Sequence, residues 1–203
     1  MRNSLLIFAC LCAMLMSCGQ AHDIIKNKSN VQEGDLLFCI APGDNAITDV
    51  TQGIGGMKIE HVGIYHMRSV IEATTGKGVV LTPIDDFVSR YGGQVVIGRV
   101  EEADIKLSVE NALKYIGLPY DNIFMPDDSA MYCSELVQKS FVKHDSTLIF
   151  SPIPMSFHDA SGTITPYWID FYKRRGMEVP EGWPGSNPGE MSRRECVKII
   201  RKW

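Results

Sequence analysis

The sequence predicts an α+β domain, a small antiparallel sheet or partial barrel packed on helices. Three observations carry this. Between residues 33 and 100 the apolar residues fall in short runs, each the length of a strand and bounded by glycine or proline turns. From residue 108 onward two segments instead repeat apolar positions at helical spacing. No internal repeat interrupts this order, and about 185 residues remain beyond an N-terminal targeting segment, enough for one domain.

Each element has its own signal. In "EGDLLFCI", Gly34 and Asp35 make a turn and the apolar run behind them suits a buried strand. "APGDNAITDVTQGIGG" reads as a loop with room for a short helix, and its glycines lead into a strand, "EHVGIYHM". "VIEATTGKGVVLTPI" follows, bent at Gly76 and Gly78 into two strands, and "QVVIGRV" is one more. "SVENALKYIG" is a helix stopped by Gly117 with Pro119 beyond, and "SELVQKSFVKH" a second helix entered through Tyr132 and Cys133. "VPEGWPGSNPGEMS" has too much proline and glycine for regular structure and reads as an ordered surface loop. "CVKIIRKW" suits a final strand or short helix.

The N-terminus sets the compartment. Arg2 precedes an apolar run of twelve, "LLIFACLCAMLM", which is too short to span a bilayer and ends in the processing-type step "LMSC". This resembles a bacterial lipoprotein signal, with Cys18 as the lipidated first residue of the mature chain; an ordinary signal peptide cut nearby is the other reading. The expected organisation is a signal at 1–18, a polar tether at 19–32 and a domain at 33–203, exported and lipid-anchored to the cell envelope. A formal net charge of -4 without a basic run argues against nucleic acid as a partner. Beyond Cys18 three cysteines remain, Cys39, Cys133 and Cys196, an odd number that leaves at least one thiol free; a bridge between Cys39 and Cys196 is open.

Three residues stand out. A tight turn near His66 and Met67 would set His61 opposite Glu72, with Cβ atoms about 5 Å apart on one face. The carboxylate could then take the Nδ1 proton of the imidazole and fix its tautomer. Cys133 begins a helix, where the macrodipole favours a thiolate. Nucleophile, base and orienter are thus all present. Each also has a plainer reading: Cys133 as apolar filler, His61 as a hydrogen-bonded sheet residue, and the set as zinc ligands, although no CxxC or HxxxH spacing supports a metal. Glu72 is the sharpest, because a carboxylate in an apolar strand costs several kcal/mol unless partnered.

"EGDLLF", "HVGIY", "VIEAT" and "GLPYDNIFMPDDSAMYCSELV", in that order over residues 33–142, resemble the YiiX and YaeF branch of the NlpC-type papain-like superfamily. The resemblance implies a circularly permuted papain-like fold, with the histidine strand ahead of the cysteine helix. It also implies a triad of Cys133, His61 and Glu72, an active-site tyrosine at Tyr120, and acyl transfer through a thioester without metal or organic cofactor. Non-permuted members have "DCSG" where this chain has "YCSE", so their specificity does not transfer. The implied substrate is a cell-envelope peptide or a lipid or acyl amide; a tethered module that only binds such molecules is the rival. The aromatic-rich stretch 150–176 is expected to serve as core packing or to wall the cleft.

Overall fold

The computed structural model describes residues 31–203; the expected signal, Cys18 and the tether up to residue 30 lie outside the described residues. The domain is built on a six-stranded antiparallel sheet. Its strands are β1 (Leu36–Ile40), β2 (Ile59–His66), β3 (Ser69–Thr74), β4 (Gly78–Pro83), β5 (Val95–Val100) and, after two short strands elsewhere, β8 (Val197–Lys202), in the order β4-β3-β2-β1-β5-β8. The last segment is therefore a strand, and it pairs with β5.

The helices are α1 (Ile84–Arg90), α2 (Ile105–Lys114), α3 (Cys133–Ser140), α4 (Pro166–Lys173) and α5 (Pro188–Met191). α2 starts earlier than its apolar spacing suggests because the Asp104 side chain caps it, accepting the Leu107 N–H at 3.0 Å. α3 stops at Ser140, where Phe141 turns extended, shorter than the predicted run. Leu136 and Val137 of α3 and Val109 and Ala112 of α2 pack with Val62, Ile64 and Ile71 in one core.

Two expectations need correction. The proline- and glycine-rich segment near 180–192 does hold regular structure: β7 (Pro184–Gly185) pairs with β6 (Ile153–Pro154), and α5 follows with Asn187 as its cap. Pro188 is harmless there because the first helical position has no intrahelical use for its N–H. Gly185 is required by contact, since a Cβ would lie 2.4 Å from the Met155 sulfur and 2.9 Å from the Tyr132 hydroxyl. α4 was also hidden, inside the aromatic stretch, behind Pro166 at its first turn.

The β2–β3 register is the second correction. Ile64 faces Ile71, not Ser69, because the hairpin turns on Met67 and Arg68, both at positive φ. The displacement is two residues, an even number, so His61 and Glu72 keep a common face.

Candidate active site

His61 Nε2 lies 2.8 Å from Glu72 Oε2. A carboxylate only accepts, so the Nε2–H donates and Nδ1 is left for Cys133. This reverses the expected nitrogen: Glu72 meets the ring through Nε2. Cys133, at the start of α3, is near enough to the same imidazole to help raise its pKa. The structure thus brings together the three residues singled out in the sequence.

Glu72 is wholly buried and fully partnered. Thr82 Oγ1 donates to Oε1 at 2.5 Å, and Arg90 Nη1 donates to Oε2 at 2.9 Å, the oxygen that also receives His61. Burial works against its charge, but the bonds from His61, Arg90 and Thr82 outweigh that and hold the carboxyl down at about 2. For His61 burial likewise opposes charge, yet the hydrogen bonds to Cys133 and Glu72 prevail and its pKa is pushed up to about 9. The ring is stacked on Tyr91, centroids 5.8 Å apart and planes 16° apart, with Phe87 on another side at 6.0 Å.

Arg90, Tyr91 and Phe87 come from α1, which sequence reasoning missed. Its signal was present: Asp85 and Asp86 in the first turn and Arg90 in the last complement the helix dipole, but seven residues carry too little periodicity to declare a helix.

Tyr120 reaches the site through backbone pairing. Residues 119–121 bridge to Met131, two positions before Cys133, with the Met131 N–H donating to Pro119 O at 3.0 Å. The Val79 N–H donates to Leu118 O at 2.9 Å, and this approach needs Gly78, whose Cβ would stand 2.1 Å from that oxygen. The Tyr120 pKa is raised, first by burial and then by the charge of Cys133, with Thr75 opposing the rise. Tyr132 is fixed next to Cys133: its hydroxyl accepts the Ser186 N–H at 2.9 Å, and Ser186 Oγ donates to Ser134 Oγ at 3.0 Å.

Two cavities meet beside His61 and Cys133. One, about 570 Å³, contains His61 with Asn45, Asn122, Thr75, Tyr91 and Trp168 on its walls. The other, about 280 Å³, contains Cys133 and is walled largely by Ile47, Val50, Ile153, Met155 and Phe157. Glu60, Tyr120 and Phe124 line both. The aromatic stretch does both things expected of it. Trp168 and Tyr172 are buried in a second core with Phe157, while Trp168 also borders both cavities. Their polar atoms hold cleft loops, Trp168 Nε1 donating to Ala46 O and the Tyr172 hydroxyl to Ile123 O.

Cys39, Cys133 and Cys196 are all free, so no bridge joins Cys39 to Cys196. Cys39 pairs with His61 across β1–β2, and its thiol pKa is raised, first by burial and then by the Glu72 charge. No group of three or more His, Cys, Asp and Glu side chains among the described residues is arranged to hold a metal ion.

A family model described as "permuted papain-like amidase enzyme, YaeF/YiiX, C92 family" matches residues 30–193. Among curated proteins, Protein OPG091 of variola virus is 26% identical over 119 residues, 56% of this chain and 67% of its own length. Protein OPG091 of vaccinia virus strain Western Reserve is 29% identical over 115 residues, 54% of this chain and 64% of its own. Among solved structures, the crystal structure titled metalloprotein yiiX from Escherichia coli O157:H7 superposes with a TM-score of 0.68 at 22% identity, covering 85% of this chain and 97% of that one. The likeness is one of fold.

Proposed function

Because the chain belongs to the permuted papain-like amidase family, we propose that it is a cysteine amidase working through Cys133, His61 and Glu72 on an acyl amide of the cell envelope, to which lipidated Cys18 tethers it. The observation that carries this is the single imidazole held between a buried, arginine-paired carboxylate and a helix-start thiol.

The raised His61 and lowered Glu72 favour imidazolium beside carboxylate, and the proton His61 holds is the one Cys133 gives up. The thiolate attacks the amide carbonyl. The oxyanion forms beside the Cys133 backbone N–H, with the Tyr120 hydroxyl as a second donor; one such donor is worth about 3 kcal/mol. His61 then protonates the leaving amine, the C–N bond breaks, and a thioester remains on Cys133. Water, deprotonated by His61, releases the acid. The apolar walls of the Cys133 cavity favour an acyl chain over a cell-wall peptide on the acyl side.

Stoichiometric iodoacetamide labelling near neutral pH should fall on Cys133 alone, and a panel of fatty-acyl anilides should be hydrolysed by the intact protein but not by Cys133→Ala. Slow labelling of Cys133 that ignores His61→Ala, with no turnover, would return the protein to a binding module.

A further inference from the structure

We propose that Glu60 selects substrates whose leaving amine carries a second, protonated amino group, a specificity that rests on the reading of Cys133 and His61 as nucleophile and base. The evidence begins with a defect in the sheet. Along β1–β2, Cys39 pairs with His61, but the next residue, Ile40, pairs with Ile59, so Glu60 has no partner in the ladder. Such a bulge re-aims a side chain that strict alternation would send to the face away from His61. The re-aimed carboxylate lines both cavities, directly beside the base.

Its bonding leaves it available. Asn45 Nδ2 donates to Glu60 Oε2 at 2.8 Å, a neutral bond that orients the carboxylate without neutralising it. None of the ion pairs among the described residues involves Glu60, and Arg193, which shares the Cys133 cavity with it, donates instead to Gln52 O. A half-buried carboxylate outside any ion pair, at the junction of two cavities, is open to a cation carried by a ligand. The surroundings identify that cation. The His61 cavity adds the aromatic side chains of Tyr91, Tyr167 and Trp168 to Asn45 and Asn122. An aromatic lining with one carboxylate is a setting for an ammonium group, which aromatic rings also attract. The side follows from the chemistry, since His61 gives its proton to the leaving amine. That amine therefore departs through the His61 cavity, while the acyl group stays with Cys133.

Binding can be measured apart from turnover. Cys133→Ala protein would be titrated calorimetrically with N-acetyl diaminoalkanes of two to five methylenes and with the uncharged N-alkylacetamides of equal length. The best ammonium member should bind about tenfold more tightly than its uncharged match, and Glu60→Gln should reduce that ratio to about twofold or less. The preference should also weaken several-fold on raising salt, a readout needing no further variant. Equal affinities, no detectable ammonium binding, or a preference surviving Glu60→Gln would each overturn the proposal. Fatty-acyl anilide hydrolysis by the intact protein is scored separately, so failure of the amidase reading and failure of the Glu60 assignment give different results.

Discussion

His61 and Cys133, the proposed base and nucleophile, are held by different kinds of structure. His61 and Glu72 sit on adjacent strands within a closed set of charged and hydroxyl partners, with Arg90 and Thr82 each donating to the carboxylate. Cys133 sits where an extended residue meets a helix, steadied by loops: Tyr120 through its bridge to Met131, and Ser186 through Tyr132 and Ser134. The ionic half is preset by sheet register and pleat. The loop half depends on neutral hydrogen bonds worth about 1 kcal/mol each, so it is the part able to adjust to the proposed acyl substrate.

The comparison is broken most severely by removing a member of the proposed triad. Cys133→Ala and His61→Ala should each lower amide turnover by about a thousandfold or more, measured on acyl anilides. Glu72→Gln should cost less than His61→Ala, because the amide oxygen can still accept the Nε2 proton. Glu72→Ala should instead show in stability. It strands Arg90, Thr82 and His61 together and should lower unfolding free energy by about 3 kcal/mol in urea titrations.

pH sharpens the contrast. His61 is raised to about 9 from an ordinary 6.5, so its contribution to stability is complete below about 6.5 and is lost as pH climbs through about 9. Glu72 is lowered to about 2 from 4.5, so its contribution is complete above about 4.5 and is lost as pH falls through about 2. These two groups together should give a stability plateau between about pH 4.5 and 6.5 in thermal melts. Cys133→Ala should shift the alkaline fall to lower pH, since the thiol helps hold the imidazole charged.

Smaller effects separate the two halves. Arg90→Ala removes one donor to Glu72 from a partly exposed position and should reduce turnover about tenfold, with Arg90→Lys recovering part of it. Tyr132→Phe leaves the Ser186 N–H without its acceptor and should cost about 1 kcal/mol of stability. On the loop-held reading it should alter KM for long acyl chains more than for short ones.

Much of the site was legible because its signals are local. Glu72 stood out as a charge inside an apolar strand, Cys133 as the start of a helix, and Tyr120 through the resemblance of its "PY" step. The face shared by His61 and Glu72 survived a wrong register because an even slip preserves the pleat. The nitrogen assignment did not survive, since it depends on side-chain torsions that strand pattern does not fix. Arg90 and Tyr91 were invisible for a different reason: α1 is only seven residues long, and its value to the site is tertiary. α4 and α5 both begin with proline, which reads as a breaker until the first-turn exception is recognised. Glu60 could not be read at all, because a bulge is a property of two strands and not of either sequence.

β5 has neighbours from opposite ends of the domain. On one side lies β1, which starts about sixty residues earlier, and on the other β8, which starts about a hundred residues after β5 begins. Neither an amino-terminal nor a carboxy-terminal piece can satisfy both of its edges. The sheet carrying the base is thus a long-range structure, closed only after distant chain segments meet, and folding should be slow for the domain's size. The Trp203 N–H donates to Val95 O at 2.7 Å, so the same β5 edge is fastened as far as that residue. An extension fused directly after Trp203 would begin at the margin of the sheet, and a flexible spacer there would protect the edge pairing.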